Sequence, residues 1–574
     1  MKNVFFTVFP LLVFLVIIHE GTTFYHAPQG TNFYQKENVI GCGPSIADIT
    51  ADENGKFIPV LPGWGHYKYQ VSTKNDSTQF YFNQGLNFYY SYHFREALAS
   101  FKEAARFDDN CAMAYWGQAL SMGPYYNAYY YKMSKDVPEV IKTMNSKIGN
   151  ASEKEKALIR AMQQRYSDDF TNADRPQLDS NYATAMSLLV KKYAGDDDMK
   201  ALYIDAVMLK HKWDFWNNDG NAKPWTPEVV KLCEQILKKT PHHPAALHYY
   251  IHLTEASKQP QLALHSANVL KDLMPGVGHM VHMSTHMYQR NGLFAKGVYV
   301  NEDANTVYNQ VDSIAPNLGM GKDKAVHIYA VQSFCAMNAG MYTKGMAIYL
   351  RARNKQLAQS IAMEKEAYSQ YVYMMPVIAM VRSGIWKQIL KEPAPDAKWK
   401  YALVLDDFAK GLAHVHNRNI AAARKNLRNL EINLQDSLLA ERLLPFDAPV
   451  QCGRIAAEIL KGEVLYEEGK TGEAIAAFKQ AVAEEDKLVY REPQQWLIPA
   501  RQYLGAYLLK MNKAKEAEKV YREDLVLNPG NGWSLLGMHK SLLAQKKIDE
   551  AATYKSRYIK AFANADVKPM ASVF

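Results

Sequence analysis

Residues 513–551 read KAKEAEKVYREDLVLNPGNGWSLLGMHKSLLAQKKIDEA, and the two ends of this stretch repeat one another. Lys515-Glu516-Ala517 near the start is matched by Asp549-Glu550-Ala551 at the end, so that Ala517 and Ala551 stand 34 residues apart. A period of that length is the mark of a helix-turn-helix unit that buries its apolar face on the next copy of itself. Working outward, the pattern predicts helix pairs over 455–484, 499–527 and 532–561, with turns at Gly469, Asn512 and Lys546-Lys547.

Towards the other end, Gly85, Ala97, Phe101, Ala104 and Ala105 fall where such a unit places its small packing residues and its aromatic knob. Asp108-Asp109-Asn110 stops that pair, and Cys111 to Leu120, with Trp116-Gly117, opens the next. In the middle a turn of glycine, an apolar residue and an aromatic recurs as Gly292-Leu293-Phe294, Gly340-Met341-Tyr342 and Gly384-Ile385-Trp386. Its spacings of 48 and 44 exceed 34, which predicts lengthened helices or insertions such as 311–322. Pro393-Ala394-Pro395 marks a linker before a less regular helical stretch.

On these residues the chain resembles the tetratricopeptide repeat family, specifically exported bacterial members with long, divergent arrays. The resemblance spans roughly residues 77–562. It implies an all-α solenoid of antiparallel helix pairs, A and B, with the A helices side by side along a concave face, and it implies a protein or peptide partner in that groove. Fold alone does not decide function. The expected divisions are 1–20 as a signal peptide or N-terminal anchor, 21–76 as an extended lead-in, 77–345 as the first array, 346–445 as a divergent helical region and 446–565 as the C-terminal repeats.

Composition agrees with a folded chain: 48% hydrophobic and 22% charged residues exclude disorder, and 24 Pro with 31 Gly are too few for a fibrous protein. The net charge of +9 is spread without a basic block, which gives no reason to invoke nucleic acid. Cys42, Cys111, Cys233, Cys335 and Cys452 are widely spaced and include no C-x-x-C pair, so they read as buried thiols, with a Cys42–Cys111 bridge as the alternative after export. Lys2 followed by a charge-free run from Phe5 to Ile18 is short for a membrane span and suits a signal peptide. The expectation is therefore a periplasmic or extracellular protein, touching the membrane only if the N-terminal segment stays uncleaved.

One stretch carries chemistry. His248, His252 and Glu255 fall at i, i+4, i+7 in a helix expected over 244–257, and His279, His282 and His286 share a stripe of the helix that follows Pro275. His282 and His286 stand 34 residues after His248 and His252, so the two stripes occupy equivalent places in consecutive A helices. On the 48-residue offset His327 matches His279 one repeat on. Six imidazoles and a carboxylate converging on a concave surface suit zinc, iron or copper. A metal-dependent enzyme, with Glu255 as general base or ligand, is the rival to a partner-binding scaffold. Two other readings stay open: a hydrogen-bonded network with Tyr249, Tyr250 and Tyr288, or a polar groove for an anion or peptide. Met280, Met283 and Met287 read as core packing. The insert from Trp213 to Trp225 is expected to be a solvated loop or the rim of the groove, and Glu492-Pro493 with Trp496 to Arg501 a structural elbow. Nucleophile and phosphate-loop motifs are missing: no G-x-S-x-G occurs, and Gly319-Met320-Gly321-Lys322 runs into Asp323.

Overall fold

The computed structural model describes residues 44–127, 131–169, 171, 174–318, 321–360, 362–442 and 447–574. The N-terminal apolar run and Cys42 lie outside them. Helices follow one another from Asp76–Tyr90 to Ile548–Ala561, and among the described residues the one strand-like pairing is an isolated bridge between Trp216 and Ala222. No helix of the described residues is long and apolar enough to cross a membrane.

The turns show why these residues fold in pairs. Gly292, Gly340 and Gly384 have φ of 71°, 69° and 68°, the left-handed conformation that ends a helix without a Cβ penalty. The aromatic two residues on then starts or caps the next helix: Phe294 opens Phe294–Ile314 and Tyr342 is the N-cap of Thr343–Gln359. Gly469, Asn512 and Lys546, the turns expected in the C-terminal repeats, also have positive φ. The long spacing between the first two glycine turns is taken up by the 21-residue helix Phe294–Ile314 and the short 3₁₀ turn Pro316–Leu318.

Within a pair each helix packs on the next, and alternate helices lie side by side: Pro244–Thr254 against Gly278–Arg290, that helix against Gly321–Asn338, and Ala500–Lys510 against Gly532–Ala544. This is a tetratricopeptide-like α-solenoid. The aromatic knobs sit as the period demands. Phe101 lies against Gly85 and Gly117 on the flanking A helices, and Tyr521 lies against Gly505 and Gly537.

Two contacts bend the array back on itself. The first helix, Asp76–Tyr90, packs against Pro244–Thr254, far along the chain. The three glycine turns also meet C-terminal segments: Gly292 lies against Pro529 and Gly530, Gly340 against Phe562 and Ala565, and Gly384 against Phe574. Residues 44–72 are irregular and lie on the array through buried Ile49, Ile58 and Leu61 and the backbone bond from Gly276 to Gly63 (2.9 Å). All described residues belong to one compact unit, Ile40–Phe574.

Candidate metal centre

Pro244 at the first helical position starts Pro244–Thr254, behind His243, whose ring accepts from the Ala246 N–H. The helix ends at Thr254, earlier than the pattern suggested, and Glu255 is its C-cap. His248 and His252, one turn apart, point at the neighbouring A helix, where Gly278–Arg290 carries His279, His282 and His286. His327 comes from the third A helix, Gly321–Asn338.

The seven expected residues come together, and they sort into sets. His248, His252 and His279 form one triad and His282, His286 and His327 another, with the candidate ligand atoms of each within 4.8 Å of one another. The two triads are copies: an i, i+4 pair on one A helix plus one histidine from the next. His327 therefore does stand to the second triad as His279 stands to the first. A third set within the same distance is His252, Glu255 and Glu492.

The outer edges of the rings are anchored. His248 Nδ1 lies 2.7 Å from the Tyr90 carbonyl oxygen, His252 Nδ1 2.9 Å from Glu255 Oε1, and His282 Nδ1 2.6 Å from Asn301 Oδ1. Asn301 is itself oriented, because its amide NH₂ donates to the Gly297 carbonyl at 2.9 Å. His286 Nδ1 lies against the Glu492 carboxylate and 3.7 Å from Glu255 Oε2. The oxygens of the Tyr90 carbonyl and the Asn301 carboxamide can only accept, so His248 and His282 carry the proton on Nδ1 and keep a lone pair on Nε2. That is the arrangement by which a carbonyl or carboxylate behind a histidine readies it as a ligand.

The inner edges then face one another. His282 Nε2 and His286 Nε2 are 3.0 Å apart, and His248 Nε2 and His279 Nε2 are 3.3 Å apart. Buried His252 Nε2 has no hydrogen-bond partner among the described residues. Burial pushes His252 down to about 3, His282 to about 4 and His327 to about 3, and drives His286 well below its ordinary value, so the rings are neutral donors near pH 7.

Most of the site is buried at this level: His248 and His282 are 0% exposed and Glu255 is 0% exposed, while His279 and His327 are half-buried. Tyr92 covers the first triad, with its ring centroid 4.5 Å from that of His248 and 5.8 Å from those of His252 and His279. Tyr126 and Trp213 pack on His252 at 5.2 and 5.9 Å. The insert after Trp213 is thus part of the site and no mere solvated loop: Trp216 Nε1 donates to the Leu253 carbonyl (2.7 Å), and Asn218 Nδ2 reaches the Lys487 carbonyl (2.8 Å). Arg491 lies over the Trp213 ring. The segment around Glu492, expected to be a structural elbow, instead supplies a carboxylate to His286.

Burial raises Glu255 well above the usual carboxylate range, opposed first by Arg290. Arg290 ties the site to its surroundings by donating to the carbonyls of Glu255 (2.9 Å), Ser257 (3.0 Å) and Leu527 (3.0 Å). Of the tyrosines expected to bond the histidines, Tyr250 donates instead to Glu234 and Tyr288 to Asn268, while the Tyr249 ring stays 5.7 Å from that of His248. Met280, Met283 and Met287 are wholly buried in the core. The four described cysteines are buried thiols, with burial pushing Cys111 up to about 11 and Cys452 to about 12.

No family model matches the chain, and no curated protein matches it. Solved structures of loosely similar shape include the human IFIT1 dimer with m7Gppp-AAAA, at 13% identity and a TM-score of 0.31 over 86% of this chain and 91% of that one. Yeast Tom70 gives 11% identity and a TM-score of 0.30 over 84% and 90% of the two chains. The Cut9–Hcn1 assembly of the APC/C gives 14% and 0.27 over 86% and 76%. At these values none of the three carries a function across, and the site is read from its own atoms.

Proposed function

We propose that this chain is a metal-binding solenoid protein whose ion is held by the histidine triads, in preference to a scaffold that grips a partner with its histidine groove. The observation that supports this most is the 3.0 Å approach of His282 Nε2 and His286 Nε2. His282 has its Nδ1 proton committed to Asn301, so its Nε2 lone pair faces a second imidazole nitrogen in a buried place. Two nitrogens on one ion, each roughly 2.0–2.1 Å from it, come to about this separation. The burial of His248, His252, Glu255, His282 and His286 argues against a peptide ligand at the same level. Glu255 lies behind the Nδ1 edges of His252 and His286, so its role in this reading is to hold the ligands, and the general-base role gives way.

The test is elemental analysis of the purified full chain. Near-stoichiometric zinc, iron or copper is expected, and His282→Ala with His286→Ala should lower it while leaving the helical circular dichroism spectrum. A metal-free protein that takes up none of the three ions would return the site to a structural histidine network. Export remains part of the proposal, supported by Lys2 and the charge-free run from Phe5 to Ile18. A reporter fused to residues 1–30 should leave the cytoplasm, and retention would sink that part alone.

A further inference from the structure

Resting on that metal reading, we infer that the two triads are two ion sites of one make, and that the ion each takes is copper(I).

The doubling follows from the repeat. Each triad is built from the same three positions, an i, i+4 pair on one A helix and a histidine from the next, and each has its own close Nε2 pair. A site produced by a repeat unit recurs when the unit recurs, as it does here from Pro244–Thr254 to Gly278–Arg290. The triads are also adjacent: ring centroids of His279 and His282 are 6.0 Å apart, and those of His252 and His286 are 6.3 Å apart.

The choice of ion follows from donor number and charge. Zinc in a protein takes four ligands, and a three-histidine zinc site completes itself with water. The triads here supply three nitrogens each, two from buried histidines and one from a half-buried histidine, and the ring of Tyr92 packs on the first. The nearby carboxylates are engaged on the outer Nδ1 edges. Copper(I) is satisfied by three donors, and imidazole suits copper. The surroundings bring carboxylates from Glu255 and Glu492 but also guanidiniums from Arg290 and Arg491, so the protein offers no net negative charge to the centre. Buried charge without a counter-charge is costly, and a pair of monovalent ions places half as much of it there as a pair of divalent ones.

The experiment uses the full chain, stripped with a chelator and titrated without oxygen, once with copper(I) against bicinchoninate and once with zinc against a zinc chelator. Two copper(I) ions per chain are expected, with zinc bound more weakly and displaced by copper(I). His279→Ala should remove or weaken one ion and His327→Ala the other, in proteins that keep the parent helical spectrum, because these two histidines are the more exposed member of each triad. A chain that binds one ion, lost in either variant, would show a single shared site. Zinc that resists displacement by copper(I) would overturn the choice of ion. Both of those results leave the metal reading standing, whereas a chain that binds neither ion removes the reading beneath the inference.

Discussion

Asn301 shows how much of the site depends on a side chain that is not itself a ligand. Its carboxamide is fixed by the Gly297 carbonyl and in turn fixes the proton on His282 Nδ1. Asn301→Leu should therefore lower metal affinity by about 10–100-fold, the usual cost of losing such a support, while the helical spectrum stays; competition against a chelator measures it, and unchanged affinity would detach Asn301 from the site. The four paired histidines were legible in the sequence because i, i+4 spacing and a 34-residue shift are both local signals. Asn301, Tyr92 and Glu492 were not, since each reaches its histidine through tertiary packing that leaves no spacing to read. A second residue-scale prediction concerns Asp205, buried and accepting from the Tyr89 hydroxyl at 2.6 Å. Burial raises its pKa, with Arg165 and Tyr89 opposing. A carboxyl raised in the folded state gives stability that is complete below the ordinary Asp range, near pH 3.9, and is lost as pH rises through the raised value. Asp205→Asn removes that dependence, so its melting temperature relative to the parent should climb as the pH rises above about 4; a difference that stays flat would refute the assignment.

The helix pair is held by an aromatic knob pressed on two glycines, and this was the part of the fold most open to sequence reasoning, because Gly85, Phe101 and Ala517 mark it at fixed offsets. A Cβ at Gly537 would come 2.2 Å from Tyr521 Cζ, and one at Gly117 would come 2.3 Å from Phe101 Cδ1. Tyr521 is wholly buried and has no open side to retreat into. Gly537→Ala should accordingly destabilise by about 1–3 kcal/mol, the cost of overpacking a filled core, even though alanine is the better helix former. Thermal unfolding checks it, and a stabilised variant would mean that the knob is loosely seated. The insert from Trp213 to Trp225 left two readings open, solvated loop or rim of the groove, because its composition reads as a loop and its packing on His252 and Leu253 leaves no spacing to read.

At the scale of the molecule, the end of the described chain runs back across the array. Ser572 Oγ donates to the Gln502 carbonyl (2.8 Å) and bonds Tyr521 Oη (2.6 Å), Arg382 donates to the Ser572 carbonyl (3.2 Å), and Phe574 packs near Trp533. Deleting residues 572–574 strips these partners from buried groups, and a melting temperature lower by a few degrees is expected; an unchanged value would make the tail a passenger. The other closure, at Glu492, bears on timing. A growing chain that has reached residue 340 already owns all six histidines, yet it lacks the carboxylate behind His286, the Leu527 carbonyl that anchors Arg290 and the segment that meets the 213–225 insert. Synthesis thus makes the histidines and the rings of Tyr92, Tyr126 and Trp213 that cover them early, and the supports behind His286 and Arg290 late. On the proposed reading, the ion present when these late supports arrive is the one they fix, and the supply in the compartment where folding finishes chooses the occupant. An isotope of the bound metal added to the finished protein should exchange far more slowly than the same isotope present during refolding.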